Sequence, residues 1–170
     1  MKHKTIIILG SSRPFGNTRK IVDYLISQGN DIDLISLSDY KIGYFDYELK
    51  NENDDFHPLL TSILNYDTIL FATPVYWYTM SAQMKTFFDR ISDVLIGDKK
   101  PLGRQLRGKV MGSISCGSDA EIFEGFKMPF EQSAAYLGMT YLEHVHTWVL
   151  SDQTIPKTVE SRLKSLLNKL

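Results

Sequence analysis

The chain has 170 residues, 43% of them apolar, and sets 19 basic against 20 acidic side chains for a net charge of -1. That size suits one domain, residues 1–170, able to bury its own core, and the even charge without long like-charged blocks argues against a nucleic-acid partner. One cysteine, Cys116, excludes an internal disulfide and any multi-cysteine metal centre in this chain, and no apolar run is long enough for a signal core or membrane span, so a soluble cytoplasmic protein is expected.

Ile6 to Leu9 is the short β-branched run required of a strand buried on both faces of a sheet. Helical spacing starts at Ile21, Val22, Leu25 and Ile26. The intervening loop therefore lies at a helix N-terminus, where unpaired N–H groups and the positive end of the dipole favour an anion. Ser11, Ser12, Asn17 and Thr18 add neutral donors, Arg13 adds a cation, and Gly10 and Gly16 let the backbone curl around a ligand. Five residues separate the two glycines and no lysine follows, which argues against a nucleoside-triphosphatase loop. The G-x-G-x-x-G spacing of a dinucleotide site is missing too. A phosphate monoester suits these residues; a serine-rich turn without a ligand is the alternative.

Alternation over Asp31 to Leu37 predicts a second strand, and Leu59, Leu60, Ile63 and Leu64 a helix. Between them, residues 38–57 form the longest stretch without predicted structure, and its acidic patch Glu52, Asp54 and Asp55 reads as a solvated loop. Thr68 to Ala72 reads as a third strand, Ser81 to Ile96 as a helix, and Lys109 to Ser115 as a fourth strand. Ile122 to Leu137 follows as a helix, Thr140 to Val149 as a fifth strand, and Pro156 to Leu170 as a closing helix with Pro156 in its first turn. Strands alternating with helices imply an α/β fold, a parallel sheet covered on both faces with its ligand at the carboxyl ends of the strands.

The loops after Leu9, Ala72 and Ser115 are therefore the ones that carry chemistry. After the third strand stands Thr73-Pro-Val-Tyr-Trp-Tyr-Thr-Met80, whose three successive aromatics cannot all face a core. A flat ring stacked on Tyr76, Trp77 or Tyr78, together with the phosphate loop, describes a mononucleotide with a large planar ring. An aromatic surface used for dimer packing is the alternative. Ser115, Gly117 and Ser118 stand where they would close the other side of that ligand, Gly117 by permitting close approach and Ser118 by its hydroxyl. Cys116 reads as a buried small hydrophobe in preference to a redox thiol. His144 and His146 share a strand face, but two ligands without a third do not make a metal site, so no metal is expected. Lys85, Asp89 and Arg90 read as structural or dimer-contact charges, not catalytic ones.

Together, Gly10-Ser-Ser-Arg-Pro-Phe-Gly-Asn-Thr18 and Thr73-Pro-Val-Tyr-Trp-Tyr-Thr-Met-Ser-Ala-Gln-Met-Lys-Thr-Phe-Phe-Asp-Arg90 resemble the phosphate and ring loops of the flavodoxin-like NADPH-dependent FMN reductases. Within that family the chain is most similar to the iron–sulfur flavoprotein branch. The resemblance implies a three-layer sandwich around a five-stranded parallel sheet of order 2-1-3-4-5. It implies that Ser11, Arg13, Asn17 and Thr18 hold the FMN phosphate and that Pro74, Val75, Tyr76 and Trp77 run along the isoalloxazine, their backbone N–H groups facing its pyrimidine edge. In residues 40–57, where that branch carries a cysteine cluster, this chain has Lys41-Ile-Gly-Tyr-Phe-Asp-Tyr47 and no cysteine, so the cluster is not expected.

The implied activity is hydride transfer from NAD(P)H to bound FMN and onward passage of electrons to a small acceptor: a quinone, flavin, azo or nitro compound, or metal ion. The cofactor carries that chemistry, so no catalytic side chain is required. A flavodoxin-type electron carrier is the rival reading, disfavoured by the near-neutral charge, and a binding module that has lost the cofactor is a third. The exposed aromatic loop further implies a homodimer or homotetramer.

Overall fold

The structure is a computed structural model that describes residues 3–28 and 31–170, so the first two residues of the basic start lie outside it. Five strands, β1 (Thr5–Leu9), β2 (Ile32–Ser36), β3 (Thr68–Pro74), β4 (Val110–Gly117) and β5 (Thr140–Trp148), form one sheet of order β2-β1-β3-β4-β5. Every pairing is parallel, as the expected crossovers require. The helices are α1 (Asn17–Ser27), α2 (Phe56–Ile63), α3 (Ala82–Arg90), a single turn α4 (Lys100–Gly103), α5 (Met128–Leu137) and α6 (Lys157–Leu167). The order is the flavodoxin-like one that the two loops implied.

Strand geometry sends successive side chains to opposite faces, and the β-branched runs supply a core on each. Ile6, Ile8, Ile69, Phe71 and Met111 pack with α2, α3 and α5, whereas Ile7, Leu9, Leu70, Ala72, Ile114 and Cys116 pack with α1 and α6. The first layer is rich in aromatics: Phe71 meets Phe87 and Phe88, and Phe88 stands edge-on to Phe130 at 5.3 Å. Burying each such side chain is worth about 1.5–3 kcal/mol. Among the described residues no helix is long and apolar enough to cross a membrane.

Several boundaries differ from the sequence reading, three of them with a clear local cause or consequence. The helix expected over Ile122–Leu137 begins only at Met128, because Pro129 suits a first turn and Phe123 is extended. The helix expected to reach Ile96 ends at Arg90 and tightens into a 3-10 turn over Ile91–Val94. Pro156 is extended and precedes the first helical residue instead of lying within the turn.

The acidic patch is a larger correction. Arg90 is only 1% exposed, and all five of its N–H groups find oxygens. Nε donates to Asp93 at 2.8 Å, Nη1 to the Gly43 carbonyl at 2.9 Å and to Asp54, and Nη2 to the Asn51 carbonyl at 3.0 Å and to Asp54 at 3.2 Å. Its plane also lies over the Phe56 ring, 4.9 Å from the centroid. Asp54 is thus a half-buried ion-pair partner, and Asp55 accepts from the Lys41 N–H at 2.6 Å. One guanidinium gathers the segment around residues 43–54, which the sequence presents as unstructured.

Candidate functional site

Parallel strands end together, so the loops after β1, β3 and β4 meet along one rim of the sheet. Hydrogen bonds join them. Gly10 N–H donates to the Ala72 carbonyl at 2.8 Å, and Val75 N–H donates to the Cys116 carbonyl at 2.9 Å. Ser81 is the main tie: its hydroxyl donates to the Gly10 carbonyl at 2.6 Å and caps α3 by accepting from Met84 N–H, while its own N–H donates to Thr73. A Cβ at Gly10 would lie 2.9 Å from Met84 Cβ, so only glycine lets the first loop pass this close to α3. Ser81→Ala is expected to cost about 2 kcal/mol through loss of a helix cap and a buried hydrogen bond, read as a lower thermal midpoint.

The first loop enters α1 through Gly16, an N-cap residue that provides no side-chain cap, and the first turn of α1 carries no acidic residue. Its leading N–H groups are therefore open to an external acceptor. Ser12, Arg13 and Asn17 are exposed beside them. Ser11 is buried and accepts from Arg13 N–H at 3.3 Å, which shapes the loop from inside, and Gly16 N–H closes back on the Arg13 carbonyl at 3.3 Å. Thr18 is buried with its hydroxyl against the Cys116 thiol. Burial pushes that thiol up, so it stays protonated and packs as a small core group.

The β3 loop buries Pro74, half-buries Val75, and then turns back through a two-residue hairpin in which Tyr76 and Thr79 exchange backbone hydrogen bonds. The central residues Trp77 and Tyr78 have φ of +48° and +66°, the pattern of a type I′ turn that ordinarily favours glycine or asparagine. Trp77 is 91% exposed and Tyr78 64%, and Tyr78 stands edge-on to Phe123 at 4.7 Å. Val75 and Tyr76 spend their N–H groups inside the protein and Pro74 has none, which corrects the expectation that this run of N–H groups all face a ring. Among the described residues, the Trp77 N–H takes no partner.

At the end of β4, Gly117 leads through Ser118 into a loop closed by Asp119, whose carboxylate accepts from Glu121 N–H at 2.9 Å and from the Ser118 hydroxyl at 3.0 Å. Those two bonds hold the Asp119 carboxyl below its ordinary value. Ser115 lies deeper, within the strand, its hydroxyl held between His144 and His146. The sequence reading missed this polar cluster, whose only local signal was the alternation of His144 and His146 with other residues; it took Arg90 as a structural charge, which the structure bears out, without its partners.

Residues 3–153 match the protein-family model described as NADPH-dependent FMN reductase. A putative NAD(P)H-dependent FMN-containing oxidoreductase of Bacillus subtilis strain 168, YwqN, is 30% identical over 152 residues, 84% of this chain and 83% of its own. An iron–sulfur flavoprotein of Archaeoglobus fulgidus is 31% identical over 147 residues, 79% of this chain and 60% of that relative. Among solved structures, the Trp repressor binding protein of Bacillus subtilis superposes with a TM-score of 0.71 at 25% identity, covering 95% of this chain and 94% of that one. General stress protein 14 of Treponema denticola in complex with FMN superposes with a TM-score of 0.67 at 18% identity, covering 98% and 97%. With this match across a flavodoxin-like sheet, the chain belongs to the NADPH-dependent FMN reductase family, FMN-dependent oxidoreductases that use NAD(P)H.

Proposed function

We propose that the enzyme passes electrons from NAD(P)H, through FMN seated on the three-loop rim, to a small acceptor such as a quinone, flavin, azo or nitro compound, or metal ion. The observation that carries the site is the uncapped start of α1, free of acidic residues and flanked by exposed Ser12, Arg13 and Asn17. A phosphate there gains the leading N–H groups, the helix dipole and one cation. Ser11, Gly16 and Thr18 shape this seat from within, and Thr18 offers its backbone N–H, since its side chain faces Cys116.

From that seat a flat ring reaches the second and third loops, with Pro74, Val75, Tyr76 and Trp77 on one side and Gly117 and Ser118 on the other. Trp77 offers its unspent N–H to the ring edge. Ser115 supports the third loop from beneath. When bound, FMN supplies the acceptance of a hydride and the release of its electrons to the acceptor. The protein positions both partners and excludes water with Tyr76, Trp77 and Tyr78, and no side chain need exchange a proton with the substrate.

Quinones and azo compounds are the first acceptors to assay, because an NADPH-quinone reductase of P. pentosaceus and an FMN-dependent NADH-azoreductase of Bacillus anthracis share the fold, each with a TM-score of 0.67. A cytoplasmic location fits the lone, buried thiol. The exposed Trp77 and Tyr78 support a homodimer or homotetramer, and a monodisperse monomer by light scattering would overturn that assignment.

The deciding experiment is a visible spectrum after FMN is added and the excess removed, followed anaerobically by NADPH. Retained flavin bands that bleach within seconds are expected. Bands that persist for many minutes would favour an electron carrier, and no retained flavin would sink the assignment.

A further inference from the structure

Behind the β4 loop runs a continuous chain of hydrogen bonds, partly to fully buried. It links Tyr141 OH to Ser113 Oγ at 2.8 Å, Ser113 Oγ to His144 Nδ1 at 2.8 Å, and His144 Nε2 to Ser115 Oγ at 3.0 Å. It continues from Ser115 Oγ to His146 Nδ1 at 2.7 Å and ends with His146 Nε2 on the Asp119 carbonyl at 2.9 Å. Parallel register produces it, since Ser113 pairs with His144 and Ser115 with His146.

The last acceptor dictates the polarity of the whole chain. A carbonyl only accepts, so His146 Nε2 carries a hydrogen, and in the neutral ring Nδ1 must then accept. Ser115 gives its one hydrogen to His146 and therefore accepts from His144 Nε2–H. His144 Nδ1 in turn accepts from Ser113, and Ser113 accepts from Tyr141. Every hydrogen in the chain is then donated once, and both nitrogens of each imidazole are used. Burial, helped by His146 and Lys127, pushes His144 down to about 4, which keeps it neutral at physiological pH.

The geometry above the imidazole completes the case. A Cβ at Gly117 would lie 2.9 Å from His146 Cε1 and 3.3 Å from its Nε2, so the loop rests directly on this ring. His146 is 4% exposed, and its backbone carbonyl accepts from Arg162 at 3.0 Å, fixing the strand that carries it. We infer that His146 is a positioning residue for the flavin site, holding the Gly117–Asp119 loop at its working height by a one-directional hydrogen-bond chain from Tyr141. This inference rests on the FMN reading given above.

Two measurements test it. In the wild-type protein, nitrogen NMR should find both His144 and His146 as Nε2–H tautomers at neutral pH; an Nδ1–H tautomer in either ring would overturn the chain. The second compares His146→Leu with His146→Gln, whose amide retains one donor and one acceptor. His146→Leu should weaken FMN binding about tenfold, the scale of one hydrogen bond, and shift the absorption band and midpoint potential of the bound flavin. His146→Gln should restore all three, a rescue that a general loss of packing would not give. If the leucine variant misfolds, the glutamine variant with wild-type affinity, band position and potential still supports the role, and one with an affinity loss as large as tenfold overturns it. Wild-type protein that retains no FMN sinks the flavin-site reading itself, whereas wild type and His146→Leu binding FMN alike sinks only the positioning role.

Discussion

Arg90→Met is expected to destabilise the protein by about 3–5 kcal/mol, measured as a lower urea midpoint, because it leaves buried carboxylates without their cation. Asp93 is 3% exposed and Asp54 15%, so water replaces the lost hydrogen bonds only in part. Arg90→Lys should recover little, since an ammonium has three donors and no planar fork to serve two carboxylates and two carbonyls together. Acid sensitivity follows from the same contact. Burial works to raise the Asp54 carboxyl, but hydrogen bonds from Arg90, Phe56 N–H and Gly43 N–H outweigh it and hold the group below its ordinary 3.8. The associated stability is fully present above that ordinary value and is lost as pH falls through the lowered one. In Arg90→Met the Asp54 carboxyl no longer has the cation that lowers it, so its share of the acid loss should shrink, and thermal midpoints down the acid limb should fall less steeply than in wild type.

Arg13→Ala combined with Asn17→Ala is expected to weaken FMN binding about a hundredfold or more, because each residue offers a hydrogen bond to a charged phosphate worth about 1.5–3 kcal/mol. Both are exposed beside the uncapped turn of α1 and neither supports the core, so the unliganded fold should melt within about 1 °C of wild type. Equilibrium dialysis against FMN, paired with a melting curve, separates these effects. Undiminished affinity would place the phosphate elsewhere. Salt should weaken wild-type binding more than that of the double variant, since Arg13 supplies a screened charge.

The strands were legible because burial on both faces leaves a mark in a single segment: Ile6 to Leu9 and Thr68 to Ala72 contain little but apolar and β-branched residues. The turn from β1 into α1 was legible because its glycines, its polar residues and its helix adjoin in sequence. What escaped depends on distance along the chain. Asp54 looks solvated until Arg90, 36 residues on, is seen to reach it. His144 and His146 look like ordinary strand residues until the β4–β5 register sets them against Ser113 and Ser115. The late start of α5 escaped for another reason. Ile122 and Phe123 fit a helical spacing, yet Phe123 is extended and packs on Tyr78, so tertiary contact overrides the local pattern.

The hairpin at Trp77 and Tyr78 places two bulky rings in a backbone conformation that costs an ordinary residue about 1–2 kcal/mol. Asparagine followed by glycine would form the same turn with less strain. A variant library selected for heat resistance alone would therefore drift toward that pair and discard both exposed rings from the rim of the sheet. Selection for turnover should pull the other way, toward Trp and Tyr. The turn is a place where durability and use set opposing demands on the same two codons.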